Sequence, residues 1–141
     1  MISLDLSKLR TAKGYEEDLR QTERKINEAL EPIIKDVGLL GEVYKYFLVF
    51  IERNGKVMDT SNRKKFLFIA VYLFCPSVLI GHTMPRGFRD RIKELIKAKS
   101  ASTVSNDVAN LLFLYNHYRD FRDDVDVAYS FISECMAGSQ C

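Results

Sequence analysis

Apolar residues recur along most of the chain at intervals of three, four and seven positions, the period of one face of an α-helix. The clearest such run has charged residues between its apolar ones and predicts an amphipathic helix: Tyr15, Leu19, Ile26, Leu30, Ile33, Val37 and Leu40. No strict apolar/polar alternation is long enough to outline a sheet, and three prolines and seven glycines are few for an all-β protein. The sequence therefore predicts an all-α fold, a compact multi-helix domain.

Residues 1–55 are predicted to form an N-terminal amphipathic helical arm and a second helix. The first 14 residues read as a short arm or helix that ends near Gly14, and Pro32 is expected to interrupt the amphipathic helix. The second helix then follows over about residues 32–52. Because steps of three and four also suit a coiled-coil seam, this region is a candidate for oligomerisation; the alternative is packing against its own domain.

Residues 56–141 are predicted to form the helical core, continuous with the preceding region in one domain. A turn at residues 53–56 leads into a helix that Asp59, Thr60 or Ser61 can cap. That helix is expected to stop at Cys75, because a following proline disfavours helical backbone. After a loop at residues 81–87, further helices are predicted over residues 88–99, 103–118 and 121–136, the last of them capped by Asp120.

The longest apolar stretch, residues 66–80, is predicted to be a buried core helix rather than a membrane span. A span needs about 20 such residues, and Pro76 interrupts this stretch before it reaches that length. The three cysteines form no recognisable disulfide framework, which favours a reducing compartment. Together with the absence of an apolar leader in the first twenty residues, this predicts a cytoplasmic protein that does not associate with membranes.

Charge is concentrated in the middle of the chain. Residues 56–99 carry ten Lys or Arg and three Asp or Glu, a net charge of +7, within a chain whose net charge is +2. Such clustering is expected of a phosphate-binding face, although cationic helices also serve simply to keep a surface soluble. The basic residues of this block are Lys56, Arg63, Lys64, Lys65, Arg86, Arg89, Arg91, Lys93, Lys97 and Lys99.

Residues 88–115 combine a cationic helix, a short break and a second helix that opens with hydroxyl and amide side chains. The break and the start of the second helix read Ser100-Ala101-Ser102-Thr103-Val104-Ser105. This segment resembles the helix-turn-helix of bacterial repressors and activators, whose second helix often begins Ser-x-x-Thr-Val-Ser. The family has a glycine and an apolar residue just before the first serine, where this chain has Ala98 and Lys99.

The resemblance implies that the chain binds double-stranded DNA. In such motifs the first helix crosses the DNA backbone and the second reads base edges in the major groove. Val104 and Val108 would then seat the second helix on the first, and Asn106 or Asn110 could pair with adenine. The DNA-contacting residues implied are Arg86, Arg89, Arg91, Lys93, Lys97, Lys99, Ser102, Thr103, Ser105, Asn106 and Asn110.

The sequence carries no signature of catalysis or of metal binding. There is no Gly-rich phosphate loop, and neither His82 nor His117 has a Cys or His partner at metal-ligand spacing. Nothing in the sequence identifies a base that would activate Cys75. The acidic residues at positions 123, 124 and 126 are expected to form a solvated helix face. We therefore predict a non-enzymatic protein without metal or cofactor.

Two classes of function are left open. The first is a DNA-binding homo-oligomer, either a transcriptional regulator of a phage or mobile element or a protein with the layout of phage small terminase subunits. It needs Thr103, Ser105, Asn106 and the cations of residues 86–99 exposed on one face. The second is a helical structural or adaptor protein, such as a virion or assembly component. It needs instead an exposed apolar stripe among Leu19, Ile26, Leu30, Tyr44 and Phe47.

Overall fold

The computed structural model describes residues 4–138, and these residues contain α-helices, 3-10 turns and no strand, which confirms the all-α prediction. The chain divides into two compact units, Met1–Glu31 and Pro32–Cys141. The first unit contains α1 (Ser7–Ala29). The second contains α2 (Leu40–Arg53), α3 (Thr60–Phe74), α4 (Arg86–Ile96), α5 (Ala101–Ala109), α6 (Leu111–His117) and α7 (Arg119–Met136), with 3-10 turns at Val37–Leu39 and Pro76–Ile80.

Helix α1 is an amphipathic arm that runs without interruption through Gly14. The expected end at this glycine is wrong, because one glycine in a helix interior costs only about 1 kcal/mol relative to alanine and is flanked here by good helix formers. No described side chain of α1 is buried, and Tyr15 and Leu19 are 70% and 58% exposed. The arm therefore leaves its apolar stripe uncovered within its own unit.

The second helix begins at Leu40 rather than near Pro32, which corrects the predicted boundary. The Asp36 carboxylate accepts a hydrogen bond from the Gly38 N–H at 2.9 Å and caps the 3-10 turn that leads into α2. Leu40, which the periodicity assigned to the arm, is fully buried at the start of α2. The apolar period predicted for the arm therefore continued across the break between α1 and α2. Leu40 belongs to α2, and its spacing matched that period by coincidence.

Helix α3 lies at the centre of the second unit. Phe66, Leu67, Ile69 and Val71 are all essentially inaccessible to solvent, so this part of the helix lies in the core, and the prediction of a buried core helix is confirmed. Asp59 caps it by accepting from the Asn62 N–H at 2.8 Å, one of the three caps predicted. Within residues 4–138, no helix combines the length and apolar character needed to cross a membrane.

The region predicted as one helix over residues 103–118 is two helices, α5 and α6, that meet at Asn110. Asparagine competes with the helical backbone for hydrogen bonds and favours helix ends, which suits the end of α5 at this residue. The following helix starts two residues earlier than predicted, with Tyr118 at its N-cap. Asp120 is therefore not a cap, but its carboxylate lies in the first turn, where it suits the helix dipole.

The cysteines differ in their states. Cys75 is a buried free thiol, and burial raises its pKa to about 12, so it is inert at neutral pH. Cys135, however, is disulfide-bonded, a bond that the cysteine spacing did not predict.

Candidate nucleic-acid interface

Helix α4 separates apolar from cationic residues. It buries Phe88, Ile92 and Ile96 in the core. Because these residues follow the helical period, the positions between them face outward and carry the charges. Asp90 and Glu94 are exposed among the cations, so the outer face of α4 is basic but not uniformly so.

The turn after α4 forms a left-handed helix end at Lys97, where φ is 55° and ψ is 43°. The Ala98 N–H donates to the Lys93 carbonyl at 3.1 Å and the Lys97 N–H donates to the Glu94 carbonyl, the bonding pattern of a Schellman C-cap. Within residues 4–138, Lys97 is the single non-glycine residue with positive φ. The family resemblance places the turn glycine one residue later, at Ala98, so no sequence pattern predicts the left-handed conformation of Lys97.

Helix α5 begins at a serine cap. The Ser100 hydroxyl oxygen accepts from the Thr103 N–H at 3.2 Å and lies 3.1 Å from the Thr103 hydroxyl oxygen. Val104 and Val108 are buried, as the sequence predicted, and α5 packs against α4 and α3. The opposite side of α5 is therefore left to polar side chains.

The residues predicted to contact DNA are accessible. Arg89 and Lys93 are half-buried. The others are exposed: Arg86, Arg91, Lys97, Lys99, Ser102, Thr103, Ser105, Asn106 and Asn110. On α5, helical geometry puts Ser102, Thr103, Asn106 and Asn110 on the face opposite the buried valines. Accessibility of this kind is required of a nucleic-acid interface.

Part of the basic block is neutralised by intramolecular ion pairs. Lys65 and Lys56 pair with Asp124 at 2.7 and 3.8 Å, and the hydrogen bond from Lys65 is the main reason that the pKa of Asp124 is lowered. Arg91 pairs with Glu94 at 3.3 Å. The Arg91 Nη2 also lies close to Gly41, since a Cβ added to this glycine would be 3.2 Å from that nitrogen. These cations are less available to an external phosphate.

The remaining cations of α4 and the turn have no such partner. Within residues 4–138, no carboxylate lies within ion-pairing distance of Arg86, Arg89, Lys93, Lys97 or Lys99. The Arg89 Nε is also buried without a hydrogen-bond partner. The positive charge that stays uncompensated is therefore concentrated on α4 and on the turn before α5.

No grouping of His, Cys, Asp or Glu among the described residues could hold a metal ion. Near the acidic end of the chain, the Tyr115 hydroxyl donates a hydrogen bond to Asp126 at 2.7 Å, and this bond raises the pKa of Tyr115. Asp124 forms the ion pairs with Lys65 and Lys56. The His117 ring packs against the Phe113 ring, with ring centroids 4.3 Å apart and the planes tilted by 33°. These side chains thus make structural contacts.

In comparisons with known proteins, no family model, no curated protein and no solved structure matches this chain. The similarity of residues 88–115 to a helix-turn-helix therefore stays a prediction.

Proposed function

We propose that this protein is a non-enzymatic DNA-binding protein that contacts double-stranded DNA through α4, the turn at Lys97 and α5. The observation that carries the proposal is the pairing of two neighbouring surfaces. One is the exposed polar face of α5, and the other is the set of cations on α4 and the turn that have no carboxylate partner. We infer a regulator-type or packaging-type DNA recogniser rather than an enzyme.

In this proposal, phosphates and bases are contacted by different residues. Arg86, Lys97 and Lys99 contact backbone phosphates, and the free N–H groups at the start of α5 support a further phosphate. Asn106 and Asn110 are the candidates for bidentate pairing with adenine in the major groove. The Ser100 cap stabilises the first turn of α5, so it supports these side chains without itself needing to touch DNA.

Fluorescence anisotropy on a generic duplex at low and moderate salt tests the proposal. The variant Arg86→Ala/Lys99→Ala removes two exposed cations from the proposed interface, and Lys8→Ala/Lys13→Ala removes two exposed cations from α1 as the matched control. We expect binding that weakens steeply with salt and is selectively reduced in the first variant. Absence of binding at low salt, or equal losses in both variants, would contradict the proposal.

The exposure of α1 favours a second candidate function, that of an oligomerising or adaptor protein. Of the stripe that such a role requires, Leu19 and Ile26 are exposed, Leu30 and Tyr44 are half-buried and Phe47 is buried in the core. Phe47 is therefore excluded from that surface. If α1 joins copies of the chain, Leu19→Glu/Ile26→Glu should convert the oligomer to monomers, and light scattering measures this as a lower molar mass. A molar mass equal to that of the wild type would exclude oligomerisation through this stripe.

A further inference from the structure

A groove of about 490 Å³ lies beside the proposed interface, between the start of α3 and the end of α4. Arg63 and Thr60 of α3 line one part of it, and Lys97 of the turn lines another. Tyr44 of α2 also lines the groove, and burial raises its pKa while the positive charge of Arg63 acts in the opposite direction. Two cations from distant parts of the sequence thus converge on one depression.

The hydrogen-bonding capacity of Arg63 is largely unused. Its Nη2 lies 3.4 Å from the Thr60 hydroxyl oxygen, a long contact, and its Nε is buried without any partner. A guanidinium has five N–H donors, and the described contacts of Arg63 use few of them, so donors remain for a ligand in the groove. The side chain is half-buried, which restricts its conformations before a ligand binds.

The acidic residue that lines the same groove does not neutralise Arg63. The Asp59 carboxylate accepts from the Asn62 N–H at 2.8 Å as the cap of α3. Within residues 4–138, no carboxylate lies within ion-pairing distance of Arg63. By contrast, Lys65, two residues further along α3, is paired with Asp124. Arg63 is therefore an uncompensated cation of α3 that faces the same groove as Lys97.

We propose that this groove holds a backbone phosphate of the bound DNA, with Arg63 and Lys97 as its cationic ligands. The inference rests on the proposed function, and it extends the interface beyond α4 and α5 to the first turn of α3. A guanidinium presents several N–H donors in a fixed plane that matches phosphate oxygens, and lysine adds a point charge. Because Lys97 also forms the turn before α5, a duplex that lies along α5 passes next to this groove.

The test compares Arg63→Gln with Lys64→Gln in duplex binding across about 50 to 200 mM salt, the range in which phosphate contacts dominate affinity. Both variants remove one positive charge from the same turn of α3, but Lys64 lines a different groove. For Arg63→Gln we expect the slope of log affinity against log salt to fall by about one. The affinity itself should drop about five- to tenfold near 0.1 M salt. Circular dichroism spectra and thermal melts verify that both variants are folded.

If Arg63→Gln behaves like Lys64→Gln, the groove does not hold a phosphate of DNA and the inference is overturned. If the wild-type protein binds no duplex, the proposed function fails, and titration with inorganic phosphate then tests the groove by itself. In that titration the Arg63 Nε–Hε resonance is followed by proton–nitrogen NMR. A saturable shift that Lys97→Ala weakens would support a phosphate site that serves a free anion. No shift would overturn the site altogether.

Discussion

Replacing Lys97 with glycine should stabilise the protein, although it removes a charged side chain at the proposed interface. Lys97 adopts left-handed backbone at the end of α4, with φ of 55°. For residues with a Cβ, this conformation costs about 1 to 2 kcal/mol, because the Cβ crowds the following carbonyl oxygen. Glycine has no such penalty, but its greater freedom in the unfolded chain offsets about 0.5 to 1 kcal/mol of the gain.

The net expectation for Lys97→Gly is therefore a rise of about 0.5 to 1 kcal/mol in the free energy of unfolding. For a chain of this size, that rise corresponds to a melting temperature higher by about 2 to 4 °C. Lys97 is exposed and forms no ion pair among the described residues, so little packing energy or charge pairing opposes the gain. Urea unfolding followed by circular dichroism measures the free energy directly.

Lys97→Ala is the matched control, because it removes the same charge but keeps a Cβ at the strained position. We expect the alanine variant to be no more stable than the wild type. If both variants had equal stability, the conformational argument would be refuted. Both should lose DNA affinity to the same extent, since both lack the ammonium group of the proposed phosphate site. This separates the stabilising effect of the substitution from its effect on binding.

Further predictions concern the core, the cap of α5 and two titratable groups. Ser100→Ala should cost about 1 kcal/mol by removing the cap of α5, whereas Ser100→Gly should cost only a few tenths, as urea denaturation can show. Phe66→Ala should cost about 3 to 5 kcal/mol, because Phe66 is fully buried, and failure to see a large loss would contradict that burial. The Cys75 thiol, with its pKa raised to about 12, should resist alkylation at pH 8 until the protein is denatured, and rapid labelling of the native protein would contradict this. The ion pair with Lys65 lowers the pKa of Asp124 in the folded protein. The pair therefore stabilises the fold above the unfolded pKa of about 3.9, and this stabilisation is lost as the pH falls through the lower folded pKa. Asp124→Asn should accordingly reduce the loss of stability in acid.

The local parts of the fold could be predicted from the sequence. The period of Phe88, Ile92 and Ile96 predicts the buried face of α4, and the Pro76 restriction predicts the end of α3. Predictions failed where two local preferences competed. Gly14 favoured a helix end but is outweighed by its neighbours, and Asn110 divides a segment whose apolar period continues across it. Single-residue preferences of about 1 kcal/mol are similar in size to the effects that oppose them, so the sequence pattern alone does not show which preference sets such a boundary.

In the candidate site, the residues that are close in sequence could be predicted to lie together, whereas the position of a distant residue could not. The polar start of α5 and the cations of α4 are close in sequence, so the pattern predicts that they lie together. The position of Arg63 depends on how α3 packs beside α4, and no local pattern separates it from Lys65, two residues away. Tertiary contacts pair Lys65 with Asp124, whereas Arg63 has no such partner and lines the same groove as Lys97. Which cations of a basic block can bind an external phosphate is therefore decided by the acidic residues that folding brings to them, and total charge alone does not predict it.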